Sequence, residues 1–357
     1  MDAQLYRQLA NRLDAIPNGF PKTASGVELR LLAKIFTLEE ASLAAVMRLH
    51  REPAADIAAR AGADPQRAYK VLKGMARKGL VRVKKGQGEL CFGLMPFVVG
   101  FYEEQLPRLD QEMAQLLEQY LVETRGMGAS QGPSVHRVIP VGEAVPFQLE
   151  VYAYEQASAL LESAQSWGVR DCICRVQQKL VGKGCERPVE ACLVFAPVQN
   201  AFGHDQTIRP LSQQGAFEIL EQAEAAGLVH TTGNYRDGHF YICNCCPCCC
   251  GVLRGLTEFD IPTALASSGF YSYVDEQICS GCGECLERCH FGALSLVGEV
   301  CQVEVARCVG CGLCASACST GALRLERRPD YAAPPADLKE WMLQRAQERG
   351  ISIFDIL

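Results

Sequence analysis

Near its C-terminal end the chain uses one spacing of thiols twice. The first run is Cys279-x-x-Cys282-x-x-Cys285-x-x-x-Cys289, and the second is Cys308-x-x-Cys311-x-x-Cys314-x-x-x-Cys318. Three thiols in so tight a loop wrap one metal centre, and a fourth just beyond is carried away by a short helix. Gly281, Gly283, Gly310 and Gly312 let the backbone turn sharply and point N–H groups at sulfur. Zinc sites are usually built from two C-x₂-C pairs separated by a longer spacer. Continuous runs of this kind therefore favour iron and sulfide.

Over about residues 270–326 these runs resemble the two-[4Fe–4S] ferredoxin family. The resemblance implies one cube on Cys279, Cys282, Cys285 and Cys318, and a second on Cys308, Cys311, Cys314 and Cys289. That family usually carries proline after the fourth cysteine, where this chain has His290 and Ser319. Each restores a backbone N–H, and hydrogen bonds to cluster sulfur raise a reduction potential. A less negative potential than in proline-bearing relatives is expected.

A chain of 357 residues has room for two or three domains, and 48% apolar residues can fill their cores. The net charge of −6 argues against a generic nucleic-acid binder but leaves room for a local basic patch. The opening MDAQLYRQLANRLDAIP is charged and amphipathic, unlike a signal peptide. No apolar run reaches the roughly 18–20 residues of a membrane span. Twenty cysteines clustered in such a chain point to metal rather than disulfides, and to a reducing cytoplasm.

The N-terminal third reads as helices and turns. After a loosely specified lead-in (1–26), a helix is expected from Val27 to Phe36. Thr37-x-x-Glu40 reads as a capping box opening a helix to Leu49. Pro53 starts a third helix that Gly62 ends, and Asp64-Pro65 caps a fourth that runs to Lys78. Two strands, Leu80–Val83 and Glu89–Leu94, follow. Residues 27–95 look like a winged helix-turn-helix domain. Its basic helix would offer Arg67, Lys70, Lys73 and Arg77 to phosphates, with Lys84 and Lys85 on the wing. Docking, dimerisation or an acidic redox partner would use the same face. From Pro96 to about Arg125 a long helical arm is expected, closed by the small-residue linker RGMGASQGPS up to Ser134.

The middle, 135–269, is a second cysteine-rich module. Loose strands over Val135–Tyr154 and a helix over Tyr154–Trp167 lead to Cys172-x-Cys174-Arg175, Cys185 and Cys192. Four thiolates satisfy one [4Fe–4S] cube or one zinc, and the neighbouring thiol runs favour iron–sulfur. Arg175 is a candidate to neutralise cluster charge. A helix over Ser212–Ala226 and strands near Val229–Asn234 and His239–Ile242 precede Cys243-Asn-Cys245-Cys246-Pro-Cys248-Cys249-Cys250-Gly251. In extended chain Cys243, Cys245 and Cys249 would face one way and Cys246, Cys248 and Cys250 the other, unless Pro247 breaks the alternation. His204, His230 and His239 read as structural or exposed, and Cys91 and Cys301 as packing residues.

Adjacent cysteines before glycine resemble the Cys-rich motif of the catalytic subunit of heterodisulfide reductases, with different spacing. The whole pattern is similar to a group of cytosolic bacterial proteins described as 4Fe-4S binding proteins. The expected fold is α+β and multidomain. It comprises a winged helix, the helical arm (96–134), a central α/β cysteine-rich domain, a bacterial 2[4Fe–4S] ferredoxin-like domain (270–328) and a C-terminal helix (329–357). The expected function is electron transfer, with at least one further cluster in the central module. The partner would be a redox protein, with DNA contact and a homodimer as further possibilities. The alternatives are a redox-sensing DNA-binding regulator and a thiol or disulfide reductase built on the CNCCPCCC loop. No P-loop or dinucleotide fingerprint is visible.

Overall fold

The lead-in holds a helix that the sequence reading passed over. In the computed structural model, α1 spans Ala3–Asp14, and the Asp2 side chain accepts from the Leu5 N–H at its start. Tyr6, Leu9, Ala10 and Leu13 fall on one helical stripe and are buried, which is what holds so short a helix in place. The described residues are 2–86, 88–126, 132–145, 151–203 and 205–352. Parts of the expected linker and of the first central strand region, His204, and the final five residues lie outside them. The chain divides into two compact units, Met1–Gly132 with Val176–Gly184 and Met342–Leu357, and Pro133–Arg175 with Cys185–Trp341.

In the first unit α2 (Val27–Ile35) is followed by α3 (Leu38–Ala44), where the Thr37/Glu40 capping box is present in both directions. The strand β1 (Glu52–Pro53) leads into α4 (Ala54–Ala61), stopped by Gly62 in the left-handed region at φ +63°. The helix α5 (Pro65–Arg77) has Asp64 accepting from the Arg67 N–H. β2 (Val81–Lys85) and β3 (Leu90–Leu94) form a hairpin, with β1 on the far side of β3. The expected arm is broken. Val98, Val99 and Gly100 have non-helical backbone angles, Pro107 sits in a short 3₁₀ turn, and only α6 (Gln111–Glu123) is regular. Gly100, the β-branched pair and Pro107 each work against a continuous helix.

The second unit is built on a seven-stranded mixed sheet in the order β10-β4-β8-β9-β6-β5-β7. Its strands in chain order are β4 (His136–Val138), β5 (Ser166–Asp171), β6 (Glu190–Ala196), β7 (Arg209–Leu211), β8 (Val229–Gly233), β9 (Tyr241–Cys245) and β10 (Leu265–Ala266). Between them run α7 (Ala157–Glu162), the start of α8 (Ile173–Leu180, whose residues from Val176 on belong to the first unit), α9 (Gln213–Ala225) and α10 (Gly251–Thr257). Trp167 and Gly168, expected at a helix end, lie in β5. A Cβ on Gly168 would stand 2.4 Å from the Ile208 side chain, so this glycine serves a close approach rather than a helix stop.

Beyond the sheet, β11 (Phe270–Val274) pairs antiparallel with β14 (Leu323–Arg327). Between them lie α11 (Glu284–Arg288), the hairpin β12 (Leu294–Val297) with β13 (Val300–Val303), and α12 (Leu313–Ser316). The last helix, α13, spans Leu338–Glu348. Among the described residues no helix is long and apolar enough to cross a membrane.

Candidate metal centre

The two thiol runs fold as two copies of one loop. Gly281 and Gly283 take φ +66° and +81°, and Gly310 and Gly312 take +69° and +81°. Gly283 and Gly312 then cap α11 and α12, each starting a helical turn that carries the third cysteine. Cys279, Cys282, Cys285 and Cys318 line one cavity. Cys289, Cys308, Cys311 and Cys314 line another. So the fourth cysteine of each run lies with the first three of the other.

Backbone N–H groups aim at these sulfurs. Ser272 donates to Cys308 Sγ at 3.4 Å, Ala293 to Cys289 Sγ at 3.4 Å and Cys301 to Cys279 Sγ at 3.5 Å. Cys301 has a larger part than packing. It lines the first cavity, and its Sγ is 3.6 Å from that of Cys285. No spacing rule reaches it, because it arrives on β13 rather than in a run. The His290 ring turns away to bond the Gly227 carbonyl through Nε2 at 2.7 Å.

In the central module Cys185, Cys246, Cys248 and Cys249 form a group that can hold a metal ion, their sulfurs all within 4.8 Å of one another. Cys185 is 3.9 Å from Cys246 and 3.7 Å from Cys249, and Cys248 is 3.8 Å from Cys249. Four thiolates at about 2.3 Å from one tetrahedral ion stand about 3.8 Å apart, so the spacing fits a mononuclear site. Ala191, Ala223 and Leu228 pack with Cys246 and Cys249 beneath it. A hydrogen bond from Cys249, helped by the Arg175 charge, brings Cys246 down to about 5 against burial. Burial lifts Cys248 to about 12. Arg187, which the sequence reading missed, donates to Cys248 Sγ at 3.5 Å.

This grouping differs from the one read from sequence. Cys185 leaves Cys172, Cys174 and Cys192 and joins the later motif. The cause is a turn at Pro247–Cys249: β9 ends at Cys245, and the Cys250 N–H returns to the Cys246 carbonyl at 3.0 Å. Strict alternation stops there, so Cys249 lies with Cys246 and Cys248, while Cys250 lies with Cys243 and Cys245.

Asn244 anchors the strand that carries these thiols. Its Oδ1 is 2.5 Å from His230 Nδ1, its Nδ2 donates to the Ala191 carbonyl at 2.7 Å, and its carbonyl accepts from Arg175 at 2.6 Å. His230 also faces Glu224 at 3.1 Å, and His239 stacks on Tyr235, so both serve the scaffold. Cys91 stands on β3 in the first unit. Of the basic residues on α5, Arg67 is paired with Glu39, while Lys70, Lys73 and Arg77 are exposed and Lys73 lies over the Tyr69 ring.

Fold and thiols together define a mixed α/β multidomain protein with a cysteine group competent for metal. No protein-family model, no curated protein and no solved structure matches the chain.

Proposed function

We propose that this chain is an iron–sulfur electron-transfer protein with two [4Fe–4S] clusters in a ferredoxin domain and further metal in its central module. The observation that carries the reading is the pair of cavities, each lined by the first three cysteines of one run and the fourth of the other, with Cys301 also lining the first. When bound, such clusters supply one-electron chemistry. The chain's residues hold and shield them. Cys279, Cys282, Cys285 and Cys318 would ligate one, with Leu296 and Leu323 closing its walls. Cys308, Cys311, Cys314 and Cys289 would ligate the other, with Phe291 and Val309 limiting water. Cys285 and Cys314 share one packed group, which brings the two cavities together.

The test is anaerobic purification with iron and sulfide analysis of wild type, Cys282→Ser and Cys311→Ser. The expected result is at least about 8 iron and 8 sulfide in wild type, with loss in each variant. Iron-free protein, or variants identical to wild type, would refute the reading.

A second reading, a redox-sensing DNA-binding regulator, draws on the first unit. The succession of its helices and hairpin supports a winged-helix reading, as do Lys70, Lys73 and Arg77 exposed on α5. Binding to duplex DNA at low salt that weakens as salt rises, and that changes with cluster oxidation, supports it. An absence of binding at low salt removes it.

A further inference from the structure

Four of the ten central thiols belong to the tetrahedral group. The other six close into a ring. Side-chain interactions couple Cys172 to Cys174, Cys174 to Cys250, Cys250 to Cys245, Cys245 to Cys243, Cys243 to Cys192 and Cys192 back to Cys172. The sheet builds half of it. Leu193 pairs with Ile242 across antiparallel β6 and β9, so one step further along Cys192 faces Cys243. Cys245 lies two residues on, on the same face of β9. Cys172 and Cys174 come from the start of α8, and Cys250 is the N-cap of α10. Six thiols from four separate places thus converge inside the protein, with Cys172, Cys245 and Cys250 buried.

One ion takes four thiolates, and one cube takes four. Six thiols coupled in one ring exceed both.

Arg175 points independently to an anionic occupant. It is 2% exposed. Its Nη2 donates to the Asn244 carbonyl, but its Nε and Nη1 are buried with no partner. A buried cation with two orphaned N–H groups is costly unless negative charge faces it. Cys172, Cys246, Cys245 and Cys192 lie near enough to interact with it electrostatically. Three of these are ring members and one belongs to the tetrahedral group.

We propose that the six-thiol ring binds one polynuclear iron–sulfur cluster, separate from the four-cysteine centre and from the ferredoxin pair, with Arg175 as its buried counter-cation. The proposal rests on the reading of the chain as an iron–sulfur protein, and its test separates the two.

The full chain, purified without air, is assayed for iron, zinc and acid-labile sulfide and examined by electron paramagnetic resonance. The forms compared are wild type, Cys192→Ser/Cys243→Ser and Cys248→Ser. Wild type is expected to exceed the about 8 iron and 8 sulfide of two cubes by at least about four iron. The double variant loses that excess and keeps the ferredoxin signal. Cys248→Ser loses about one metal ion and no sulfide. If the double variant does not fold, Arg175→Gln decides, since it leaves every thiol in place. It is expected to lower occupancy or shift the spectrum of the excess cluster, with Arg175→Lys restoring it. A wild type stopping at about 8 sulfide overturns the ring and leaves the ferredoxin pair standing. So does an excess that survives in the folded double variant, that follows Cys248 instead, or that ignores Arg175→Gln. A wild type without iron overturns both.

Discussion

His136 is buried in the central sheet, with Nδ1 3.5 Å from Thr231 Oγ1 and Nε2 without a partner. Burial lowers its pKa to about 4, and that of His239 to about 4 as well. An unfolded histidine binds its proton near 6.5, so between about 4 and 6.5 the unfolded chain holds more protons than the folded one. The stability each neutral ring contributes is complete above 6.5 and is lost as pH falls toward 4, up to about 3 kcal/mol per group. Denaturant unfolding at pH 7.5 and 5 is therefore expected to show a smaller loss for His136→Asn than for wild type. An equal loss would refute the assignment. His290 offers a second test. Its ring is engaged by the Gly227 carbonyl, so an effect of this residue on the neighbouring cluster site would come through the backbone N–H that proline lacks. Voltammetry of His290→Pro is expected to give a more negative potential, whereas His290→Ala, which keeps the N–H, should move it less. No fall in His290→Pro would contradict this. The positions of the cysteines of the two C-terminal runs, grouped around two cavities, were legible from their spacing. Those of Cys301, Arg187 and Ser272 were not, because each reaches its sulfur through folding rather than spacing.

The loops around the thiols are set by glycine. At Gly310 the backbone has φ +69°, and an added Cβ would lie 2.1 Å from the Phe270 carbonyl oxygen and 2.3 Å from Ser268 Oγ. Gly321 has nearly the same φ, +70°, with open space where a Cβ would go. Gly321→Ala is expected to lose about 1 kcal/mol from backbone strain, and Gly310→Ala at least about 3 kcal/mol, since the carbonyl cannot move aside. Denaturant unfolding of the full chain measures both, and equal losses would contradict the role of the close approach. Elements bounded by local chemistry were readable: the Thr37 capping box, the Asp64-Pro65 start and the Ser212–Gly227 helix boundaries each act within one turn. The misread elements depend on distant partners. Trp167 and Gly168 are a strand because β6 and β7 pair on either side of them. Likewise, the division of CNCCPCCC follows from where β9 stops, which its partners β6 and β8 decide.

Across the whole molecule, the second unit gathers the candidate metal sites. Cys243, Cys245 and Cys250 share one packed apolar cluster with Cys289 and Cys311, at the boundary between the central thiols and the proposed ferredoxin domain. The first unit carries the basic helix, and its affinity for duplex DNA is expected to fall steeply with salt if Lys70, Lys73 and Arg77 meet phosphates. A triple substitution of these residues to glutamine that left binding unchanged would remove the regulator reading. The central claim is that paired, crossed thiol runs hold two iron–sulfur clusters side by side. Low-temperature electron paramagnetic resonance of the dithionite-reduced, air-free protein tests it most directly. Because Cys285 and Cys314 pack in one group, two neighbouring reduced cubes are expected to give a broadened, spin-coupled spectrum that simplifies in Cys282→Ser. A silent spectrum from iron-free protein, or one unchanged by that substitution, would contradict it.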